Sequence, residues 1–242
     1  MTVGTTPEDV VKQLEQIDSC TVSNAIERFQ VRLRNEGFAD SSVRCLFPQF
    51  GPKIGYAVTA RIRTNGAPVT GRWYYDRIDW WAYVQAAPGP RFLVIQDVDD
   101  EPGFGALFGE IHANIAVALG CVAHLTNGAV RDLPGIQASG LQVFAGNVAV
   151  SHAYAHIIDF GEPVEIGGLQ IYPGDLLHGD RHGIVAVPAS IAPEIPDMAA
   201  KLIAEERELL ALCRSRDFSF DKLTAQIEAA SIRSGQPDRD PK

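Results

Sequence analysis

The chain has few cysteines, no excess of positive charge and no long apolar run, and each shortage excludes a class of protein. Four cysteines in 242 residues, with no C-x-x-C pair, predict neither a disulfide framework nor a zinc cage. A formal net charge of −9, without a basic patch, predicts no nucleic-acid partner and no binding to anionic membranes. The most apolar stretch, residues 111–125, contains two histidines and an asparagine, so it does not predict a membrane span.

The remaining composition is that of an ordinary globular enzyme. Hydrophobic residues make up 46% of the chain and charged residues 21%, which disfavours disorder and coiled coil. The first residues lack the basic start and apolar run of a secretory signal. We therefore expect a cytoplasmic protein whose cysteines are reduced, apolar thiols: Cys20, Cys45, Cys121 and Cys213.

The middle of the chain has the pattern of a parallel β-α-β unit. Residues 91–98 contain the unbroken apolar run Phe92-Leu93-Val94-Ile95, which predicts a strand covered on both faces. A glycine-rich loop, a helix over 110–119 and a second buried strand over 121–125 follow. We expect that second strand to end in a turn at Asn127-Gly128.

The last third of the chain has a different pattern. Short β-prone runs between residues 141 and 188, separated by Gly and Pro-Gly-Asp turns, predict antiparallel strands. We therefore predict an α/β fold with a parallel sheet and an antiparallel β layer. Since no repeat or linker is visible, we predict a single domain over residues 1–242, with N-terminal helices at about 7–30, a core at about 55–190 and C-terminal helices at about 191–230.

A glycine-rich turn at 103–109 leads from the first strand into the helix. The unpaired N–H groups and the positive dipole of a helix N-terminus attract anions. The spacing is G-x-G-x-x-x-G, whereas a dinucleotide fingerprint requires G-x-G-x-x-G, and no clear ribose-binding acid ends the following strand. A small carboxylate therefore fits this turn better than a nicotinamide cofactor or S-adenosylmethionine.

Arg131-Asp132 follows the second strand, and in a parallel sheet the carboxyl ends of neighbouring strands face one crevice. We therefore expect this pair to meet the amides of residues 109–112 and the carboxylate of Glu110. An arginine, two acids and a helix N-terminus in one crevice are suited to bind a divalent metal and an anionic oxo-acid together. The dipeptide alone predicts little, because Arg-Asp also occurs at 216–217 and 239–240.

Several motifs together resemble one known family. Gly109-Glu110 is separated from Arg131-Asp132 by twenty residues, and Asn127-Gly128-Ala129-Val130 comes directly before the second pair. This arrangement resembles the RraA-like family, which contains metal-dependent 4-hydroxy-4-methyl-2-oxoglutarate/4-carboxy-4-hydroxy-2-oxoadipate aldolases and the RraA regulators of ribonuclease E. The resemblance extends over residues 20 to 210, and further motifs occur in the family's order: Val143-Phe144-Ala145, Pro163 to Gly168, Pro173-Gly174-Asp175 and Gly179 to Ile184.

The resemblance implies a swivelling β/β/α fold, assembled as homotrimers or homohexamers with active sites between subunits. In the aldolases, the aspartate matching Asp132 holds Mg²⁺ or a similar ion (Mn²⁺ or Co²⁺) together with waters, and the arginine matching Arg131 contacts pyruvate. The acid matching Glu110 acts through a metal-bound water. The pyruvate carboxylate meets the amides matching Gly109, Glu110, Ile111 and His112, and the neighbouring subunit adds a glutamate, for which the candidates here are Glu205, Glu206 and Glu208.

The chain departs from the family's pattern at two positions. The aldolases usually carry aspartate where Glu110 stands, and an acid three positions after the metal-holding aspartate, where this chain has Gly135. The family pattern also leaves two histidine pairs without a role. We interpret these as ordinary hydrogen-bonded or surface histidines more readily than as a metal site: His152, His156, His178 and His182. Trp73, Trp80 and Trp81 are interpreted as core or subunit contacts.

We therefore predict a divalent-metal-dependent lyase that cleaves a small 2-oxo acid, by retro-aldol reaction or decarboxylation, through a pyruvate enolate. In this hypothesis Asp132 holds the metal, Arg131 binds the carboxylate and the developing enolate, and Glu110 takes the substrate's hydroxyl proton. One alternative is a non-catalytic regulator that binds an RNA-processing enzyme by surface contact. Another is methyl transfer to a quinone, which depends on the glycine-rich loop alone.

Overall fold

The structure is a computed structural model that describes residues 6–68 and 77–234, with side chains described up to residue 229. Within these ranges local sequence explains two helix ends. The Asp18 side chain accepts a hydrogen bond from the Thr21 amide at 3.0 Å and caps the helix that begins at Ser19. Gly140, with φ of 80°, ends the helix that begins at Leu133. The helices are α1 (Glu8–Leu14), α2 (Ser19–Phe29), α3 (Ile78–Ala86), α4 (Glu110–Ala118), α5 (Leu133–Ser139), α6 (Ile195–Arg214) and α7 (Phe220–Ser234).

The strands form one large mixed sheet and a separate hairpin. They are β1 (Arg44–Cys45), β2 (Lys53–Arg63), β3 (Arg91–Asp97), β4 (Cys121–Val130), β5 (Gln142–Val148), β6 (His156–Phe160), β7 (Val164–Ile166), β8 (Leu169–Ile171), β9 (Leu176–Asp180) and β10 (Gly183–Val187). The large sheet has the order β1-β5-β4-β3-β2-β9-β10, and β6 pairs with β2. Strands β2 to β5 are parallel to one another, while β1, β6, β9 and β10 pair antiparallel at the margins.

Strand β3 shows how the layers form, because its side chains alternate between the two faces of the sheet. Leu93 and Ile95 pack with residues of α3, α4 and α5 in one core cluster. Phe92 and Val94 pack in a second cluster with the apolar residues of the β7–β8 hairpin. A helical layer therefore covers one face of the parallel strands and a β layer covers the other. The predicted α/β fold, with a parallel sheet and an antiparallel β layer, is confirmed.

The expected turn at Asn127-Gly128 is wrong. Strand β4 continues through both residues to Val130, with a register shift against β5 between Thr126 and Ala129. The Asn127 side chain accepts from the Asp97 amide at 2.7 Å and donates to the Asp97 carbonyl at 2.8 Å. The Asn127 side-chain amide thus replaces the backbone pairing with β3 at this point. The dipeptide, which ordinarily favours a turn, is therefore part of strand β4 and causes the register shift.

The chain divides into two compact units, Met1–Pro196 and Asp197–Lys242. The first contains the sheet and the hairpin, and the second contains most of α6 and all of α7. The single domain over residues 1–242 stays a prediction. All four cysteines are unpaired, and burial raises the pKa of Cys121 to about 12. In the described part of the chain, no helix is long and apolar enough to cross a bilayer.

Candidate active site

The candidate site lies where the carboxyl end of β4 meets the start of α4. Phe108, directly before the helix, forms a parallel bridge with Val130 at the end of β4. The Arg131 amide donates to the Phe108 carbonyl at 3.0 Å. These contacts fix the chain on both sides, so that Arg131 and Asp132 emerge beside the N-terminus of α4.

Gly109 is the point at which the two side chains and the helix start come together. A Cβ atom built on Gly109 would lie 2.6 Å from Asp132 Oδ2 and 3.0 Å from Arg131 Cγ. Arg131 Nε also donates to Asp132 Oδ1 at 3.2 Å. The arginine and aspartate side chains remain 26% and 42% exposed. Gly109, Arg131 and Asp132 therefore come together, and the Arg131-Asp132 pair is open to solvent.

Asp132 has a left-handed backbone, with φ of 54° and ψ of 43°. A residue with a side chain pays about 1–2 kcal/mol for this conformation, although aspartate and asparagine tolerate it best. The carbonyl of Asp132 accepts from the amides of Gly135 and Ile136, which begins α5. The reversal turns the chain directly from β4 into α5 and leaves the Asp132 carboxylate beside Gly109.

Glu110 lies against α5. A Cβ atom on Gly135 would be 2.5 Å from the Glu110 carboxyl carbon and 2.6 Å from its Oε2. The carboxylate thus rests on the bare backbone of Gly135, three residues after Asp132. Because Glu110 is the first residue of α4, its carboxylate lies between the start of this helix and α5.

The first turn of α4 leaves its amides available for an anion. Gly109, the N-cap residue, has no side chain that could accept hydrogen bonds from them. Ile111 points outward and is 58% exposed, whereas His112 is buried. The His112 ring packs against Trp81 and Phe108, with ring centroids 5.7 and 5.8 Å away. His112 therefore faces the core, and any contact with substrate would come from its amide.

A buried aspartate that the sequence analysis did not single out orders the loop before α4. Asp97 accepts from the amides of Gly103, at 2.8 Å, and Asp99, at 3.1 Å. Burial raises the pKa of this carboxyl. Together with the Asn127 side chain it ties the loop to the ends of β3 and β4. Asp97 could have been identified from the sequence as a candidate site residue, because it lies at the end of the predicted buried strand.

The donor set fits a hard divalent cation better than a soft one. Asp132 and Glu110 are both exposed and offer carboxylate oxygens, and Mg²⁺ prefers one or two carboxylates with several waters. No histidine or cysteine joins them: among the described residues, the one group of three candidate metal ligands lies elsewhere, at Asp18, Cys20 and His182. An ion held here by Asp132 would therefore keep most of its coordination sphere for water and substrate.

The family model for RraA-like proteins, described as Aldolase/RraA, matches residues 19–186. This match covers more than half of the chain and includes every residue of the site. The chain belongs to the RraA-like family.

Among curated proteins, this RraA-like chain is 28% identical over 126 residues to a Halalkalibacterium halodurans protein named "Putative 4-hydroxy-4-methyl-2-oxoglutarate aldolase". The match covers 52% of this chain and 59% of that protein, so the chain spans less than two thirds of this relative's length. It is 25% identical over 167 residues to an uncharacterised protein of Methanocaldococcus jannaschii, covering 64% of this chain and 70% of that protein.

Solved structures support the fold. An uncharacterised protein from Pseudomonas syringae superposes with a TM-score of 0.73 at 19% identity, covering 95% of this chain and 97% of that one. RraAS2 of Streptomyces coelicolor, described as an unusual member of the RNase ES inhibitor RraA family, superposes with a TM-score of 0.66 at 20% identity, covering 87% and 99%. At these identities the likeness concerns the fold alone.

The structure links the two departures from the family's pattern. An acid at position 135 would place its Cβ within the volume that the longer Glu110 side chain occupies. Glycine is also a poor residue inside a helix, costing up to about 1 kcal/mol relative to alanine. Gly135 in this RraA-like chain therefore has a spatial reason: it makes room for the extra methylene of Glu110.

The two histidine pairs do not converge in the RraA-like fold. His152 Nδ1 lies 2.8 Å from the Ala106 carbonyl and His156 Nδ1 lies 2.7 Å from that of Tyr154. His178 is buried with Nε2 against the Leu14 carbonyl, whereas His182 is exposed beside Asp180. Trp80 is a buried core residue, Trp81 packs against the same cluster, and Trp73 lies outside the described residues.

We expect the free energy of unfolding to fall between pH 6.5 and pH 4. Burial, with a smaller effect of nearby His152, lowers the pKa of His112 to about 4. An unfolded histidine takes up its proton near pH 6.5, so the unfolded state binds the proton first and is favoured as the pH falls. The loss from His112 is about 3 kcal/mol, less any relaxation around the ring.

Urea unfolding of wild type and His112→Phe across this pH range measures the effect. The difference between the two proteins isolates His112, because the carboxylates titrate alike in both. His156→Phe, at a partly exposed histidine, is the matched control. Equal pH slopes for wild type and His112→Phe would show that His112 is not kept neutral by its surroundings.

Proposed function

We propose that the protein is a divalent-metal-dependent lyase that releases pyruvate from a small 2-oxo acid, by retro-aldol cleavage or by decarboxylation. The observation that carries this proposal is the meeting of Arg131, Asp132 and the N-terminus of α4 at Gly109. The family match and the name of the Halalkalibacterium relative support an aldolase type of chemistry.

The anion-binding groups define the pose of the substrate. The carboxylate of the 2-oxo acid would accept hydrogen bonds from the amides at the start of α4, where the helix dipole also favours negative charge. Arg131 would direct its guanidinium donors at the carboxylate and the neighbouring 2-oxo oxygen. When the bond to C4 breaks, its electron pair forms the enolate of pyruvate, and Arg131 stabilises the charge that develops on that oxygen.

Asp132 would hold the divalent ion, with Glu110 in its outer shell. Bound there, the ion supplies a Lewis acid for the 2-oxo group. Asp132 contributes an oxygen ligand that its left-handed backbone holds at Gly109. Since oxygen ligands bind Mn²⁺ and Co²⁺ in a similar way, either ion would also fit this position.

Glu110 would act as the general base. In the aldol cleavage the C4 hydroxyl loses its proton to Glu110 through a water molecule, the C3–C4 bond breaks, and a carbonyl product leaves. The enolate is then protonated at C3 to give pyruvate. In oxaloacetate the C3–C4 bond breaks as the ionised C4 carboxylate leaves as carbon dioxide, a step without a hydroxyl proton to remove, and the same enolate forms. We therefore propose decarboxylation of oxaloacetate as a second activity.

A pyruvate-coupled assay with Mg²⁺ on several 4-hydroxy-2-oxo acids and on oxaloacetate tests the proposal directly. Turnover on at least one of them, abolished by a chelator and restored by Mg²⁺, is the expected result. No turnover on any of them, together with capture of an RNA-processing enzyme in a metal-independent complex, would favour the regulator.

Asp132→Asn should raise the Mg²⁺ concentration for half-maximal pyruvate release at least tenfold. The amide has the shape of the carboxylate and tolerates the left-handed backbone, but it lacks the charge that holds the ion. Asp217→Asn, in the exposed Arg216-Asp217 dipeptide, should leave the metal dependence unchanged. An unchanged Mg²⁺ dependence in Asp132→Asn would place the metal elsewhere.

We also propose that the protein is a cytoplasmic homotrimer or homohexamer with active sites between subunits. Large apolar side chains are exposed in the loop before α4, in its first turn and after β5: Phe104 is 64%, Ile111 58% and Val150 94% exposed. Light scattering after size-exclusion chromatography should give three or six times the chain mass of 26.2 kDa. A monomer that is fully active would rule out a partner's glutamate in the site.

A further inference from the structure

A second cluster of metal-binding groups lies at the N-terminus of α2, on side chains that the proposed lyase reaction does not use. One ligand atom from each of Asp18, Cys20 and His182 lies within 4.8 Å of the other two. Asp18 caps α2, Cys20 is in its first turn, and His182 lies in the turn between β9 and β10. All three residues are exposed, so an ion has direct access.

The histidine is oriented in the manner of a metal ligand. His182 Nδ1 lies 3.1 Å from Asp180 Oδ1, and the His182 amide donates to the same oxygen at 2.8 Å. In the tautomer that donates from Nδ1 to this carboxylate, the ring carries its lone pair on Nε2, where a metal ion can bind. A carboxylate behind the imidazole is the usual outer partner of a histidine bound to zinc.

The outer carboxylate is itself firmly placed. Asp180 is 4% exposed, and its Oδ2 accepts from the Ser19 amide at 3.0 Å. The Ser19 hydroxyl also donates to Asp180 Oδ1. Asp180 thus joins the start of α2 to the β9–β10 turn, and it holds His182 beside Asp18 and Cys20.

The charges suit a dication with one thiolate ligand. Each Asp18 oxygen accepts one hydrogen bond from Thr21, but a carboxylate has about four lone-pair sites, so oxygen ligands remain. Metal binding deprotonates a cysteine, and one thiolate with one carboxylate balances a charge of two. A set of S, N and O ligands favours Zn²⁺ over the Mg²⁺ that oxygen ligands alone prefer.

We propose that Asp18, Cys20 and His182 bind one Zn²⁺ ion, with water in the fourth position. This site lies outside the candidate active site and does not depend on the proposed lyase activity. The ion would join α2 to the β9–β10 turn through protein ligands, alongside the hydrogen bonds of Asp180.

Titration of the purified full chain with Co²⁺, which reports on its ligands by absorption, tests the proposal. We expect one Co²⁺ per chain to give a thiolate-to-metal charge-transfer band that is lost on adding Zn²⁺, whereas Co²⁺ held by the carboxylate of Asp132 gives no such band. Cys20→Ser should remove the band and weaken binding more than tenfold, and His182→Asn should weaken binding more than tenfold, since even outer-shell changes cost 10–100-fold. Circular dichroism melts verify that both variants fold.

Two matched controls separate this site from others. Cys213→Ser removes the other exposed cysteine, and Asp132→Asn alters the candidate active site. Both should keep the band and the affinity of wild type, and Cys20→Ser should keep the Mg²⁺-dependent pyruvate release. The absence of a thiolate band in wild type, or its retention in Cys20→Ser, would overturn the proposal.

Discussion

Arg131→Ala is expected to lower the rate of pyruvate release about 10²–10³-fold, equivalent to about 3–4 kcal/mol of transition-state stabilisation. The Arg131 side chain passes Gly109 at its Cγ and pairs through Nε with Asp132, and its guanidinium would face the oxygen on which negative charge develops. Since that charge is larger in the enolate than in the ground state, the loss should fall mainly on kcat. Steady-state kinetics of pyruvate release at saturating Mg²⁺ measures the change in kcat and KM.

The second Arg-Asp dipeptide provides a control for this variant. Arg216→Ala removes an exposed arginine from the same sequence context and should leave kcat and KM unchanged. Arg131→Lys is a useful intermediate, because it keeps the charge but loses the fork of donors. Full activity in Arg131→Ala would contradict both the assigned pose and the role of this crevice.

Much of the fold could be predicted because local pattern and tertiary structure agree. The apolar run in β3 predicted a strand covered on both faces, and Phe92 and Leu93 do point into different core clusters. The prediction failed at Asn127-Gly128, a dipeptide that ordinarily favours a turn. There the Asn127 side chain bonds to the Asp97 backbone, a contact across strands that no local pattern reveals.

The candidate site was predictable to the level of strand ends but not of side-chain contacts. Parallel-strand topology alone brings Arg131 and Asp132 to the start of α4. The burial of His112 among aromatic rings follows from its helical face, yet its neighbour Trp81 comes from a separate part of the chain. Glu110 and Gly135 lie on different helices, so no local sequence pattern shows that Gly135 makes room for the Glu110 side chain.

That contact leads to the second large effect: Gly135→Ala is expected to lower the rate about 10²-fold while leaving the protein folded. The new methyl group would occupy the place of the Glu110 carboxylate, which has to move by an ångström or more. A displacement of about 1 Å in a catalytic group can cost about 10²-fold. Stability should hold or rise by up to about 1 kcal/mol, since alanine favours the helix and a glutamate side chain can turn aside.

The double variant distinguishes displacement of Glu110 from general damage to α5. Glu110→Asp shortens the side chain and frees the space above residue 135, so Gly135→Ala should cost far less in that background than in wild type. Ala138→Ser, at an exposed position of α5, is the surface control, and we expect it to have no effect on the rate. If the two changes at 110 and 135 instead reduce kcat/KM independently, their effects multiply, and the carboxylate of Glu110 does not act from its position over Gly135.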